Sequence, residues 1–235
     1  MSIRKTEPVW HSPLNIYWWE DKLAQKIGKE IIKKRSKYQK VREARIAAIV
    51  ALAMYKIRDI PAYVQIPRED PPDAYILQES KKIKGQADIS TIEITTYYDD
   101  SRETLLEQLK RKKVPETHKT YSDEYILVVE IGVRNPPINI DYDELRSYLN
   151  EIDVKFPIWT VRDISHSGDT IAEVVTVNPE TQTLEINVGE AAYTFKTHKL
   201  PDVQFVKQGT SKNAGKRELA GEYRKPPWDE SLLGD

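Results

Sequence analysis

The run EYILVVEIGV at 124–133 constrains the fold more than any other stretch of the chain. A strand with one wet face alternates apolar and polar residues, whereas one that is apolar almost throughout must be covered on both faces. The cover has to come from helices, and the sequence offers them. Residues 41–58, VREARIAAIVALAMYKIR, hold no Gly or Pro and are rich in Ala, Leu and Met, which predicts a helix. Ile46, Ala47, Val50, Met54 and Ile57 share one face, and Glu43 extends that face at its N-terminal end. Upstream, Leu23, Ile27, Ile31 and Ile32 recur with helical spacing and predict a helix over 19–34.

Between the helix at 41–58 and the apolar run, three segments read as strands. They are AYVQI at 62–66, DAYIL at 73–77 and DISTIEITTYY at 88–98, separated by Pro67–Pro72 and by a basic turn at Lys81–Gly85. Along the third, Glu93 and Thr95 fall on one face and Ile92 and Ile94 on the other. Asp100-Ser101-Arg102-Glu103 looks like a helix cap. The helix it would open carries Leu105, Leu106 and Leu109 and ends in Lys110, Arg111, Lys112 and Lys113 before Pro115. A short helix at 141–151, a strand at 158–164 and a hairpin over 174–188, turning near Asn178-Pro179, follow; AAYTFK at 191–196 extends this β-rich region. The expected class is α/β, with a mixed central sheet flanked by helices. Three successive strands form an antiparallel meander, and the helical crossover adds one parallel pairing. The expected divisions are an aromatic arm and basic helix at 1–40, a core at 41–165, a hairpin extension at 166–206, and a mobile tail at 207–235 that Trp228 pins.

Composition narrows the chemistry. There is no Cys among the 235 residues, so a thiolate nucleophile and a Cys-based zinc site are excluded. The four His (His11, His118, His166, His198) show no metal spacing, and no P-loop motif is present. No apolar run approaches the roughly 20 residues of a membrane span, and a cytoplasmic location is expected. The net charge of −1 confines any polyanion-binding surface to a local patch. One exists: residues 21–45 hold ten Lys or Arg against three acids, among them Lys33, Lys34, Arg35, Lys37 and Lys40.

Pro72-Asp73, followed twenty residues later by Glu93 in Ile92-Glu93-Ile94-Thr95 and preceded by a helix bearing Glu43, resembles the PD-(D/E)xK nuclease superfamily. The order αβββαβ over 41–133 resembles the restriction-endonuclease-like core of that family. The resemblance implies a metal-dependent nuclease, acting on DNA in restriction, mobile-element or defence systems. Asp73 and Glu93 would bind Mg²⁺ or Mn²⁺ and Glu43 would assist. Two carboxylates on neighbouring strands supply the hard oxygen ligands such an ion needs. The family places a Lys where this chain has Thr95. Candidates for a relocated amine are Lys110, Lys112 and Lys113 on the following helix, or Lys82 and Lys84 in the preceding turn, and Gln108 is placed to position water. The basic residues 33–40 with Lys82 and Lys84 would contact phosphates. The departure at Thr95 equally suits a catalytically inactive nucleic-acid-binding or scaffolding subunit of a larger complex.

Each acid also has a plain structural explanation. Asp73 can be a turn residue, Glu93 can face solvent on an edge strand, and Glu43 can compensate a helix dipole. Trp10, Tyr17, Trp18 and Trp19 either stack on bases or anchor the N-terminal arm. The arm and the charged tail are candidate protein-binding material, and a homodimer is compatible with the sequence.

Overall fold

The structure, a computed structural model, describes residues 9–67, 72–83, 85–98, 103–113, 125–132, 139–164, 170–198 and 225–233. In chain order the elements are α1 (Pro13–Ile27), α2 (Lys29–Lys34), α3 (Gln39–Arg58), β1 (Ala62–Gln65), β2 (Ala74–Glu79), β3 (Ala87–Tyr97) and α4 (Leu105–Gln108, running on as a π-type turn Leu109–Lys113). After them come β4 (Tyr125–Ile131), α5 (Tyr142–Glu151), β5 (Ile158–Asp163), β6 (Ile171–Asn178), β7 (Gln182–Asn187) and α6 (Val188–Tyr193).

The seven strands form one mixed sheet in which spatial order equals chain order. β1, β2 and β3 make the antiparallel meander. Two parallel pairings follow, β3 with β4 and β4 with β5, where one was expected. The additional one arises because α5 carries the chain back to start β5 beside the start of β4. β5, β6 and β7 are again antiparallel.

Helices cover both faces, as the apolar run required. α1, α2, α3 and α6 pack on one face, against Val64, Ile76, Ile92, Val128, Val161, Val174 and Ile186. α4 and α5 pack on the other through Leu105, Leu109, Leu145 and Leu149, meeting Leu127, Val129, Ile131 and Ile158. β4 therefore supplies alternate residues to two cores: Ile126 and Val128 to one, Leu127, Val129 and Ile131 to the other.

Several local expectations change. The helix predicted over 19–34 starts earlier, at Pro13, and breaks at Gly28, whose φ of 89° no L side chain adopts readily. Ser12 caps its start by accepting from the Asn15 amide at 3.2 Å. α3 is buried around most of its circumference rather than on one stripe, since α1, α2 and α6 cover the side away from the sheet. The cap of α4 is Thr104, not the Asp100 segment, of which Asp100–Arg102 lie outside the described residues. Thr104 and Glu107 bond reciprocally, side chain to backbone, at 3.2 and 2.7 Å. Residues 191–196 are helical, not a strand: α6 begins at Val188 under an Asn187 cap, and a short 3₁₀ turn follows.

The N-terminal aromatics anchor the arm. Trp10 is buried with Tyr63 and Leu77. His11 exchanges two backbone hydrogen bonds with Val64, at 2.7 and 2.8 Å, and so extends the sheet beyond β1. Trp18 and Trp19 meet edge to face, with the Lys22 ammonium 3.9 Å from the Trp18 ring centre. At the other end of the chain, Trp228 is buried in the α3 core; residues 199–224 lie outside the described part.

Candidate functional site

β2 begins one residue after Asp73, and the register Ala74↔Ile92, carried one step further, sets Asp73 beside Glu93 on β3. Pro72 has no amide hydrogen, so β2 cannot extend its ladder backwards there. The Asp73 side chain takes over: its Oδ2 accepts from the Ile94 amide at 2.6 Å, while its own amide donates to Ile92 O at 3.1 Å. The carboxylate is thus fixed at the strand end, next to Glu93.

α3 brings two more charges within electrostatic reach of Asp73, from the face of the sheet opposite to the one on which Glu93 stands. Its first turns carry Lys40 and Glu43. Glu43 is only 6% exposed. Gln39 Nε2 donates to its Oε1 at 2.7 Å, and Lys40 Nζ stands 3.0 Å from its Oε2. Both Glu43 oxygens are therefore engaged by side chains of its own helix, and the group acts first as the seat of Lys40.

Asp73 senses all of these neighbours. Its pKa is pushed up to about 6, by burial first and then by the negative charges of Glu43 and Glu93; the Ile94 hydrogen bond and the Lys40 charge oppose the rise. Among the described residues no three His, Asp or Glu side chains converge closely enough to form a metal cage by themselves. The donor set still fits Mg²⁺ or Mn²⁺, because such ions are commonly held by one or two carboxylates, with water and phosphate completing the shell.

The other sequence candidates fall in different places. Thr95 lies two residues beyond Glu93 on the same face of β3, half-buried and paired in register with Val129. Gln108 ends α4 and is half-buried. Lys110 is exposed, and its ammonium lies 4.6 Å from the Tyr148 ring centre on α5. The side chains of Lys112 and Lys113 lie outside the described part, as do Lys84, His118 and His166. Lys33 and Lys34 are exposed and pair with Glu30 at 3.8 and 3.5 Å; Arg35, Lys37 and Lys82 are exposed too. The basic patch thus occupies α2 and the turn leading directly to Lys40. Arg42 serves the local structure. It donates to Ile32 O at 2.8 Å and Arg35 O at 2.9 Å, closing the end of α2.

Sequence reasoning placed Lys40 among phosphate contacts and missed its association with the acids. Its i, i+3 spacing to Glu43 was the available signal. A second charged group also escaped notice. Arg45 Nε lies 3.2 Å from Glu20 on α1, and its Nη2 3.1 Å from Asp163 at the end of β5. Burial pushes the Glu20 carboxyl up, and the Arg45 charge opposes this. Comparison with known proteins finds no matching family model, no matching curated protein and no matching solved structure.

Proposed function

We propose that the chain is a metal-dependent phosphodiesterase acting on nucleic acid, with its site at the Asp73 end of β2. The observation that carries this reading is Asp73 at the start of β2, paired in register with Glu93, whose side chain faces away from α3, while Glu43 and its ion-paired Lys40 act on Asp73 from the α3 side; burial first, then the charges of Glu43 and Glu93, raise Asp73. A bound Mg²⁺ would polarise the phosphoryl oxygens and lower the pKa of an attacking water. Asp73 and Glu93 would hold it. Glu43 would fix Lys40 by ion pair, and Lys40 would supply positive charge near Asp73 from the α3 side, whereas Thr95 stands with Glu93 on the other face. Lys40 suits that role better than Lys110, whose ammonium is turned to Tyr148. The exposed lysines of α2 would guide a phosphate backbone toward the site, since Lys and Arg supply most sequence-independent affinity for nucleic acid.

A second reading, a nucleic-acid-binding subunit without hydrolytic activity, is favoured by one observation: no three carboxylates among the described residues form a cage. One experiment separates the two. Plasmid and single-stranded DNA and RNA are incubated with the protein and Mg²⁺ or Mn²⁺, alongside Asp73→Ala, Glu93→Ala and Lys40→Met. Cleavage lost in all three variants supports the enzyme. Salt-dependent binding without cleavage supports the subunit.

A further inference from the structure

Residues 225–233 are attached to the fold without belonging to its framework: they join neither the seven-stranded sheet nor any of the helices that cover it. Their one regular feature is the 3₁₀ turn Glu230–Leu233. That turn is closed by the segment's own groups. The Asp229 side chain accepts from the Ser231 amide at 2.9 Å, and the Asp229 carbonyl accepts from the Leu232 amide at 3.1 Å.

Side chains supply the hold on the domain. Pro226 and Trp228 are buried and Leu232 is half-buried, while Lys225, Asp229, Glu230 and Ser231 are exposed. Trp228 is a member of the core that α1, α2, α3 and α6 form against the sheet, and Leu232 packs on that core. A buried indole removes on the order of 200 Å² from water, and a single Trp of this kind dominates the energetics of a docked surface. The anchor is not fully satisfied. Trp228 Nε1 is buried and has no hydrogen-bond partner among the described residues, which weakens the hold relative to a paired indole. A self-closed turn, one aromatic anchor and charged groups left at the surface are the parts of a docked peptide rather than of a core element.

We propose that residues 225–233 are a separable peptide ligand of the domain, and that the seat of Trp228 is a docking site for peptides in which Pro-Pro-Trp precedes acidic residues. The chain's own tail is the resident occupant. Being tethered, it acts at an effective concentration of up to about 1 mM, so a free peptide of the same chemistry enters only by displacing it. Pro226 and Pro227 restrict the backbone that leads into the anchor and lower the conformational freedom lost on docking. Trp228 then supplies the main contact.

The test uses the full chain with a protease recognition sequence inserted between Gly209 and Gly215 and cut after folding. The tail fragment is expected to stay with the body in gel filtration and to exchange with a fluorescent peptide of residues 225–233, KPPWDESLL. The same peptide carrying Trp228→Ala is expected to bind about tenfold more weakly or worse. A second arm needs no cut. The full chain with Trp228→Ala, its fold checked by circular dichroism, is expected to bind the unaltered peptide about tenfold more tightly than the intact chain does, because its own tail no longer competes. A fragment that cannot be exchanged, a cut body that unfolds when the fragment leaves, no binding of the peptide, or equal binding of the two peptides overturns the proposal. A dimer of the intact chain that Trp228→Ala abolishes would seat a second copy's tail instead, and overturns the assignment of the resident occupant.

Discussion

Asp73 and His11 show how burial sets the acid–base behaviour of single residues. The Asp73 carboxyl is raised from 3.8 to about 6, so the folded chain holds its proton more tightly than the unfolded chain does between those values. Its contribution to stability is complete below about pH 4 and is lost as pH rises through 6. Asp73→Asn keeps an oxygen for the Ile94 amide without the charge. We expect it to raise the melting temperature at pH 8 and to change it little at pH 4, while abolishing cleavage. His11 behaves in the opposite sense. Burial alone lowers it from 6.5 to about 4, and its ring Nδ1 has no hydrogen-bond partner among the described residues. The unfolded chain takes up that proton first, so stability falls as pH drops from 6.5 toward 4, by about 3 kcal/mol in all. His11→Leu should flatten that part of the stability profile, as read by urea titration at pH 7, 6, 5 and 4. Neither shift was legible in the sequence. Asp73 was identified by its Pro and by its distance from Glu93, but the charges that press on it come in part from a helix thirty residues upstream.

At the scale of elements, α4 and α3 offer the clearest tests. α4 is short, and the reciprocal bonds of Thr104 and Glu107 close its first turn. Thr104→Ala should destabilise the protein by about 1 kcal/mol, and hydrogen exchange should locate the loss in 105–109. α3 is tied to α1 and β5 through Arg45, whose side chain is 18% exposed. Arg45→Met leaves Glu20 and Asp163 facing each other without their counter-charge, and should cost about 3 kcal/mol in chemical denaturation. The double variant with Glu20→Gln should recover part of it. The strands and the helix at 41–58 were readable because alternation and helical spacing are local signals. The cap at Thr104 was not, because Asp100 and Thr104 are both acceptable capping residues and only packing of Leu105 and Leu106 chooses between them. The break at Gly28 was hidden because the apolar spacing continues through it to Ile31 and Ile32.

At the scale of the molecule, the mixed sheet with helices on both faces was legible from one strand that had to be covered twice. The site was legible in part. Asp73 and Glu93 follow from strand register, whereas Lys40 was one of ten basic residues in a charged segment, and nothing but its spacing to Glu43 marked it. The patch that remains, Lys33, Lys34 and Lys37 on and after α2, lies exposed on the approach to α3. Replacing all three by Ser should weaken nucleic-acid binding evenly across sequences. It should also flatten the dependence of log affinity on log salt by about 0.7–0.9 for each phosphate contact removed. An unchanged salt slope would assign the patch to solvation alone.

A sheet whose spatial order repeats its chain order has a bearing on synthesis. As the polypeptide leaves the ribosome, every new strand finds its docking edge already laid down by the one before it. The hairpin that unites Asp73 with Glu93 is complete before the last hundred residues exist, so a truncated product that stops short of β5 would already carry the acidic pair.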